Sequence, residues 1–466
     1  MTESTATLTV NSPYNGELLA ELVPASQGDI EQALSAATAL NDELKGPLPL
    51  PTRIDILLKA AGIMASQKEA LALLAASEGG KPLSDSRVEL ERAIEGLHLS
   101  VDSLRRDGGQ VIPMNLNSAS AGKSAFTQKE PIGVVVAVSA FNHPLNLIVH
   151  QVAPAVAVGC PVIVKPADDT PLSCLRFVEI LHEAGLPKAW CQALVVPDLS
   201  LAESLVTDPR VALFSFIGSA KVGWMLRSKV APGTRCLLEH GGAAPAIVFA
   251  DADIPAAVKA LSKGAFYHAG QVCVSVQRIF AHVDIIDSLA EQLAYAANVL
   301  VVGDPTSEST EVGPLIRTRE VERVDKWVQE AIGLGATALS GAQPKGTTHY
   351  LPTVLTQVPA QCTLSQNEVF GPVVCLYAFD DAAQAYQQAN DLPFAFQAAV
   401  FTQNLENMMS AFRGLQASAV MVNEHTAFRT DWMPFAGLKQ SGLGVGGIEH
   451  TMKEMQIEKM LVLPSF

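Results

Sequence analysis

The sequence predicts an α/β protein of two domains, each built around a parallel β-sheet, with a small β-extension. Its 466 residues exceed what one hydrophobic core usually serves. Short, continuous apolar runs such as IGVVVAVSA alternate with helical segments, a pattern typical of parallel strands covered by helices on both faces. The alternation begins near residue 132, and a second series begins at APAIVFADADI, which indicates the second domain.

The composition excludes several classes of protein. Hydrophobic residues make up 48% of the chain and charged residues 17%, as in a folded globular protein. The 32 basic and 47 acidic residues give a formal net charge of −15, so neither nucleic acid nor an anionic membrane is an expected partner. The sequence contains neither a run of about 18 apolar residues, which a transmembrane helix needs, nor a secretory signal pattern at its start.

The cysteines indicate the compartment. There are seven, widely spaced, and no two form a C-x-x-C pair. This spacing disfavours a disulfide framework or a zinc site, so we expect no metal and a cytoplasmic location.

The segments before the first sheet are predicted to be helices. Apolar residues recur at helical spacing in DIEQALSAATALNDEL, TRIDILLKAAGIMASQKEALALLAASEGG and SDSRVELERAIEGLHLSVDSLRR. The glycines that end the second segment are typical of a helix C-cap. The polar, alternating segment VIPMNLNSASAGKSAFTQKEPIG then predicts an exposed hairpin or an edge strand.

Buried strands follow in two series. The first comprises IGVVVAVSA, CPVIVKP, CQALVVP and VALFSFIGS, and the second includes VCVSVQRIFAHV, VVCLYAF, QAAVFT and SAVMVN. The C-terminal QIEKMLVLPSF alternates like a strand. We expect it to pair with the exposed segment around residues 113–131.

Candidate ligand-binding residues follow two of the buried strands, at the sheet edge where ligands of α/β proteins bind. Lys165 and Asp168 in VIVKPADDTP can bind ribose hydroxyls. The alternative is a solvated loop with a helix N-cap at Asp169 or Thr170. Gly218 and Ser219 in FSFIGSAKVG stand where a helix begins. Its free N–H groups can bind a phosphate, and an ordinary capped helix is the alternative.

Two further segments offer groups for catalysis. The side-chain amide of Asn142 in SAFNHPLN can donate to an oxyanion, and an Asx turn before Pro144 is the alternative. Glu239 in LLEHGGAAPAIVF can act as a general base if its pKa is raised. A carboxylate on a glycine turn is the alternative.

Cys273 in AGQVCVSVQR also has two interpretations. Free cysteine is among the most buried residue types, which favours a core thiol when the segment is taken alone. A thiolate in an electropositive setting is instead a nucleophile. The order and spacing of all these segments favour the nucleophile.

Together the segments resemble the aldehyde dehydrogenase superfamily, from about residue 10 to the C-terminal strand. The resemblance of GQVC with SVQR, LEHGG and FNHPL to the family's motifs implies three catalytic residues. Cys273 is then the nucleophile, Glu239 the general base and Asn142 part of the oxyanion hole. MPFAGLKQSGLG resembles the family's late glycine-rich motif.

The same resemblance implies a cofactor site for NAD, with NADP possible. Lys165 and Asp168 are then expected at the adenosine ribose, where the Asp168 carboxylate would repel the 2′-phosphate of NADP. The site would also comprise Gly218 and Ser219 under the pyrophosphate, and Glu368 and Phe370 of NEVFGPVV at the nicotinamide ribose and ring.

The resemblance also implies the domain organisation. An aldehyde dehydrogenase-like fold would place a Rossmann-like NAD(P)-binding domain at residues 1–112 and 132–241 and a catalytic domain at 242–440. Residues 113–131 and 450–466 would be oligomerisation strands that form a shared sheet in a homodimer or homotetramer.

The implied reaction is oxidation of an aldehyde to the carboxylic acid through a thiohemiacetal and a thioester on Cys273. Such covalent catalysis divides one difficult reaction into two easier steps. Three alternatives stay open: a CoA-acylating dehydrogenase, a catalytically silent family member that acts as a binding protein, and a cysteine hydrolase, whose nucleophile would be paired with a histidine. Glu239 favours hydrolysis over transfer to CoA. The chain departs from the family where His240 follows this glutamate in place of the usual leucine.

The substrate is expected to be a small polar or anionic aldehyde. AFNHPLN, GQVCVSVQR and the arginine before MPF resemble the branch of lactaldehyde, phosphonoacetaldehyde, succinate-semialdehyde and non-phosphorylating glyceraldehyde-3-phosphate dehydrogenases. Arg429 is expected to bind an anionic end of the substrate as a bidentate fork, with His143 assisting. The alternative is that Arg429 pairs with Asp431. Arg105 and Arg106, on a predicted helix, are weaker candidates.

Overall fold

The structure is a computed structural model that describes residues 7–42 and 47–464. Residues 1–6, 43–46 and 465–466 lie outside the described residues. The predicted domain boundaries include them, and the predicted helix of residues 29–44 extends into them.

The N-terminal part of the chain is mostly helical, as expected. Its elements are β1 (Leu8–Asn11), β2 (Leu18–Leu22), α1 (Gln27–Asp42), α2 (Leu50–Ser66), α3 (Lys68–Gly79) and α4 (Leu83–Arg106). The sequence predicted one helix where the structure has α2 and α3. The two are separate because the backbone of Gln67 leaves helical geometry, with φ −111° and ψ 21°. At the end of α3, Gly80 has a left-handed φ of 74°, which favours glycine.

The first large sheet has six strands in the order β21-β9-β8-β5-β6-β7. Strand β21 (Gly442–Leu443) comes from the C-terminal part of the chain. Its region of the chain comprises β3 (Val111–Ile112), β4 (Lys123–Pro131), β5 (Val134–Val138), α5 (Asn146–Val158), β6 (Val162–Lys165), α6 (Leu172–Glu183), β7 (Cys191–Ala193), α7 (Leu199–Thr207), β8 (Val211–Ile217), α8 (Ala220–Arg227) and β9 (Arg235–Glu239). Helix α5 is buried along its whole length because it is mostly apolar and its polar His150 and Gln151 form buried hydrogen bonds. Strands β5 to β9 pair in parallel.

The second large sheet has seven strands in the order β12-β15-β16-β11-β10-β18-β19. The elements of this half are β10 (Ala244–Val248), α9 (Ile254–Phe266), β11 (Val276–His282), α10 (Ile286–Val299), α11 (Thr318–Gly333), β12 (Thr337–Ser340), β13 (Pro344–Lys345), β14 (His349–Tyr350), β15 (Thr353–Thr356), α12 (Thr363–Gln366), β16 (Val373–Phe379), α13 (Ala382–Asn390), β17 (Phe394–Ala395), β18 (Gln397–Phe401), α14 (Leu405–Gly414) and β19 (Ala419–Val422). The pairs within it are parallel except that of β12 with β15.

The C-terminal part returns to the first half of the molecule. Its elements are β20 (Leu438–Lys439), β21 (Gly442–Leu443), α15 (Ile448–Glu454) and β22 (Gln456–Pro464). Strand β21 runs antiparallel to β9, with Gly442 opposite Glu239. Strand β22 runs antiparallel to β4, from Gln456 opposite Pro131 to Pro464 opposite Lys123, so the structure pairs the two segments as the sequence predicted.

The parallel register brings the strand ends of the first sheet to one level. Lys165 at the end of β6 lies opposite Val138 of β5, and Val138 in turn lies opposite Phe216 of β8. Glu239 at the end of β9 lies opposite Ile217. The loops that follow these strands therefore meet at one edge of the sheet, facing the second sheet's half of the chain. Within the described ranges, no helix is long and apolar enough to cross a membrane.

Candidate active site

All of the predicted site residues except the weaker candidates Arg105 and Arg106 line one cavity of about 550 Å³. It lies at the edge of the first sheet where the loops meet. The residues that the structure brings together there are Asn142, His143, Lys165, Asp168, Gly218, Ser219, Glu239, Cys273, Glu368, Phe370 and Arg429.

Cys273 lies in a tight turn before β11. The backbone of His268, Ala269 and Gly270 has positive φ angles of 49°, 53° and 70°, and a Cβ on Gly270 would lie 2.1 Å from the carbonyl oxygen of Gly371. The turn closes where the Ser275 N–H donates to the Val272 oxygen at 3.0 Å. This backbone places the half-buried Cys273 thiol at the cavity wall.

The electrostatic setting of Cys273 is mixed. Burial raises the pKa of its thiol, and the Glu239 carboxylate raises it further. The Arg429 guanidinium and the residue's own backbone N–H lower that pKa. The thiol is therefore protonated at neutral pH, and a base that removes its proton must act before it can attack a carbonyl carbon.

Asn142 lies beside the turn of Cys273. Its side-chain Nδ2 donates to the backbone oxygen of Gln271 at 2.9 Å, and Gln271 accepts in turn from the Ile316 N–H at 3.0 Å. The Asn142 side chain is buried, with 5% of its surface exposed. An amide nitrogen carries two protons, so one remains for a ligand in the cavity.

Glu239 is the last residue of β9 and is half-buried. Its Oε1 is buried and has no hydrogen-bond partner among the described residues. Burial raises the pKa of the Glu239 carboxyl, and Arg429 opposes that rise. A carboxylate whose pKa is raised toward neutrality is suited to accept a proton.

Glu368 lies against the glycines that follow Glu239. Its Oε1 accepts from the Gly242 N–H at 3.1 Å, and a Cβ on Gly241 would lie 1.7 Å from the same oxygen. Burial raises the pKa of the Glu368 carboxyl to about 8. Position 241 must therefore be glycine if Glu368 is to keep this place.

His240, the departure from the family pattern, joins two site segments. Its Nδ1 lies 2.9 Å from the Gly218 oxygen, and its ring packs against Phe216 and Trp224 with centroids 5.6 and 5.9 Å apart. A Cβ on Gly223 would lie 2.0 Å from the ring. The histidine therefore fills a notch in α8 and links the end of β9 to the turn at Gly218.

The loop after β6 carries two ion pairs. Lys165 Nζ lies 2.8 Å from Asp168 Oδ1, and the guanidinium of Arg317 binds Asp169. The alternative helix N-cap at Asp169 or Thr170 is wrong, because α6 begins after Pro171. Its first N–H groups, those of Leu172 and Ser173, are bound by the distant Glu78.

The alternative prediction for Arg429, an ion pair with Asp431, is wrong. The Asp431 carboxylate binds Arg92 at 2.8 Å and His150 at 2.7 Å, and these contacts satisfy it. Arg429 instead lies over the Phe435 ring at 3.6 Å, and its Nε has no hydrogen-bond partner in the described ranges. Burial lowers the pKa of Arg429, while Glu239 and Cys273 act in the opposite direction.

Arg105 and Arg106 do not belong to the cavity. They lie exposed at the end of α4, where Arg105 pairs with Asp102. Other residues that line the cavity were not predicted from the sequence, among them Arg92, Tyr267, Arg317, Arg323 and Trp327. Of these, Tyr267 has the plainest local contact, a hydrogen bond of 2.9 Å to His143, and it lies close enough to Cys273 in sequence to have been considered. Across residues 7–42 and 47–464, no group of three or more His, Cys, Asp or Glu side chains is arranged to hold a metal ion.

The fold and this cavity define a two-domain α/β enzyme with a thiol, a carboxylate and an amide converging on one space. Residues 1–461 match the aldehyde dehydrogenase family, and the chain belongs to that family. It is therefore an oxidoreductase that converts aldehydes to carboxylic acids. The predictions of family, fold class and enzyme class are confirmed.

Similar proteins cover nearly the whole chain. A 3-sulfolactaldehyde dehydrogenase of Priestia aryabhattai is 38% identical over 97% of this chain and 94% of the relative. A lactaldehyde dehydrogenase of Methanocaldococcus jannaschii is 34% identical over 97% of this chain and 96% of its own.

Solved structures agree with the fold. Aldehyde dehydrogenase 21 of Physcomitrella patens, in complex with its product succinate, superposes with a TM-score of 0.95 at 33% identity, covering 100% of this chain and 96% of that one. A glyceraldehyde-3-phosphate dehydrogenase of M. jannaschii complexed with NADP has a TM-score of 0.93 at 34% identity. The match covers 98% of this chain and 99% of that one.

Proposed function

We propose that the enzyme oxidises a short aldehyde carrying an anionic group, with NAD as the preferred cofactor and NADP as the alternative. The observation that carries this proposal is Arg429, a half-buried cation in the cavity of Cys273. No carboxylate of the described residues forms an ion pair with it, because Asp431 is bound by Arg92 and His150. A substrate carboxylate or sulfonate would supply the missing partner.

Relatives support this substrate class. They include the Priestia 3-sulfolactaldehyde dehydrogenase and the Physcomitrella enzyme with bound succinate. A sulfonate and a carboxylate both present oxygens in a plane or fork that a guanidinium can bind twice. Sulfolactaldehyde and succinate semialdehyde are therefore the first substrates to test.

The first half of the reaction takes place at Cys273. Once deprotonated, its sulfur bonds to the aldehyde carbon, and the carbonyl electron pair moves to the oxygen. The Asn142 amide and the Cys273 backbone N–H donate to this oxyanion. Arg429 holds the far end of the substrate, so that the carbon stays close to the sulfur.

The second half depends on Glu239. A nicotinamide ring held by Glu368 and Phe370 would supply the hydride acceptor, and loss of the hydride from the thiohemiacetal would leave a thioester on Cys273. The Glu239 carboxylate takes a proton from the attacking water, since burial has raised its pKa toward the range of a general base. The C–S bond then breaks, the thiolate regains a proton and the carboxylic acid leaves.

The residues present fit a nicotinamide dinucleotide. Helix α8 begins after Ser219 without a side-chain cap, and Gly218, Ser219 and Val222 line the cavity, so N–H groups of the first turn suit a pyrophosphate. Lys165 and Asp168 at the next loop offer a donor and an acceptor for ribose hydroxyls. Glu368 and Phe370 line the same cavity, with the Glu368 carboxylate close enough to act on the Cys273 thiol, and they would hold the nicotinamide ribose and ring.

The assembly and location are part of the proposal. Residues 1–112 with 132–241 would form the cofactor domain and 242–440 the catalytic domain. Strands β4 and β22 expose Phe126 and Leu461, which lie opposite each other in the sheet, and this apolar face is suited to a homodimer or homotetramer. All seven cysteine thiols are free, as in a cytoplasmic protein.

The test is a panel of short aldehydes, neutral and anionic, assayed with NAD and with NADP by appearance of the reduced cofactor. We expect the highest kcat/KM for anionic aldehydes with NAD. Adding CoA distinguishes the acylating alternative, which would form an acyl-CoA. A chain that reduces neither cofactor with any aldehyde would instead fit the silent binding protein and overturn the proposal.

A further inference from the structure

Glu89 in α4 reaches the loop of Asn142 from the helical layer. Its side chain is 1% exposed, and Oε1 accepts from the backbone N–H groups of Leu145 at 3.0 Å and Asn146 at 2.9 Å. These are the first amides of α5, which has no cap from its own first residue's side chain. Glu89 therefore fixes the start of α5, four residues after Asn142.

Lys81 completes this support. Its fully buried ammonium group binds Glu89 Oε2 and lies 3.4 Å from the backbone oxygen of Asn142. Removing two charges from water costs free energy that their attraction repays only with good geometry and further hydrogen bonds. Here those further bonds all run to residues 142–146. The buried pair thus holds the segment that carries the Asn142 amide.

Glu78 in α3 makes similar contacts with the loop between β6 and α6, which carries Lys165 and Asp168. It is fully buried, and its two oxygens accept from Leu172 N–H at 2.7 Å and Ser173 N–H at 2.8 Å. These amides begin α6, which also has no side-chain cap at its own N-cap residue. Glu78 therefore fixes the end of the loop that holds Lys165 and Asp168.

The turn between α3 and α4 passes between the two loops. A Cβ on Gly79 would lie 3.7 Å from the Phe141 oxygen and 3.8 Å from Thr170 Cγ2. Glu78 lies in α3 before this turn and Glu89 in α4 after it. Glu78 binds the loop that ends at α6, and Glu89 binds the loop that ends at α5. They do not share a hydrogen-bond acceptor or donor among the contacts described above.

We propose that Glu89 and Glu78 are positioning residues for separate parts of the reaction. Glu89, with Lys81, orients Asn142 toward the oxyanion, and Glu78 holds the loop that binds the adenosine ribose. This inference rests on the proposed function of the two loops. It predicts that loss of Glu89 impairs chemistry and that loss of Glu78 impairs cofactor binding.

The test compares Glu89→Gln and Glu78→Gln in two assays besides the dehydrogenase assay. Hydrolysis of p-nitrophenyl acetate without cofactor reports on Cys273 and Asn142, and quenching of protein fluorescence by NADH reports on cofactor binding. We expect Glu89→Gln to lower the kcat of ester hydrolysis about tenfold or more with the NADH Kd within about twofold. We expect Glu78→Gln to raise the NADH Kd about tenfold with ester hydrolysis within about twofold.

The matched controls are Glu91→Gln on α4 and Glu69→Gln on α3, both exposed glutamates, which we expect to leave both assays unchanged. If a glutamine variant does not fold, the aspartate variant at that position is judged by the same criterion, because it withdraws the carboxylate from the amides. Equal losses in both assays, or no loss in either, would overturn the proposal. A wild-type protein that hydrolyses the ester and binds NADH but oxidises no aldehyde would contradict only the proposed function.

Discussion

The guanidinium of Arg429 lies 3.6 Å from the centre of the Phe435 ring and forms no ion pair with Asp431, two residues away. The aromatic face stabilises the cation but leaves its N–H groups without an anionic acceptor. The cavity of Cys273 therefore contains a cation whose partner can be the substrate.

Substitution of Arg429 by alanine should therefore affect anionic aldehydes selectively. Loss of a charge-assisted hydrogen bond should lower kcat/KM for succinate semialdehyde or sulfolactaldehyde about 10- to 100-fold, with a neutral aldehyde of similar length affected about threefold or less. Steady-state kinetics measure both values, and Arg413→Ala, at an exposed arginine on α14, is the control. Equal losses for neutral and anionic substrates would contradict the assignment.

Glu239→Gln should separate the two halves of the reaction. The thioester should still form, so rapid mixing should show a burst of NADH close to one per active site, followed by a steady rate about 100-fold lower than wild type. Cys273→Ala should abolish both phases. Glu322→Gln, on the exposed face of α11, is the control. A Cys273→Ala variant that still produced NADH would exclude the cysteine as nucleophile.

Asp168→Ala should shift cofactor preference toward NADP. The substitution removes a carboxylate that repels the 2′-phosphate and releases Lys165, which it now binds at 2.8 Å. We expect the ratio of kcat/KM for NADP to that for NAD to rise about tenfold. The exposed Asp380, changed to alanine, is the control. An unchanged ratio would mean that the 2′ position of the adenosine ribose lies away from the loop of Asp168.

Glu78 should make stability depend on pH. Burial raises the pKa of its carboxyl from 4.5 to about 7, so between these values the folded chain holds a proton that the unfolded chain has released. The free energy of unfolding should therefore fall as the pH rises through this window, by at most about 3 kcal/mol. Thermal unfolding from about pH 5 to 8 should show a loss in wild type that Glu78→Gln lacks. Parallel curves for the two proteins would be the contrary result.

Gly223→Ala should destabilise the protein because its Cβ would lie 2.0 Å from the His240 ring and 2.9 Å from Phe216. We expect a cost of about 1–3 kcal/mol as a lower thermal midpoint, and His240→Ala in the same chain should recover part of it. Gly62→Ala in α2, where nothing lies within 4 Å, is the matched control and should be neutral or stabilising. No recovery in the double variant would mean that the histidine does not fill the notch.

The site residues at the ends of the strands could be predicted from the sequence because each belongs to a local pattern. Lys165 and Glu239 end buried strands, and parallel strands bring their carboxyl ends together whatever the rest of the chain does. The contacts that support them were not readable. Arg92 binds Asp431 across 339 positions, and Glu78 caps α6 across 94, so no local pattern records either contact. A cap at Asp169 or Thr170 stayed open as an alternative because the carboxylate that caps α6, that of Glu78, lies in another helix.

The strand that ends at Glu239 is completed late in the chain. Its neighbours are β8 on one side and β21, at Gly442–Leu443, on the other. During synthesis β9 thus remains an open sheet edge while about two hundred further residues are added, and an unpaired edge can associate with other chains. Glu239, the proposed general base, acquires its final surroundings only after Gly442 and Leu443 have been added, so chains truncated before β21 should be both inactive and prone to aggregate.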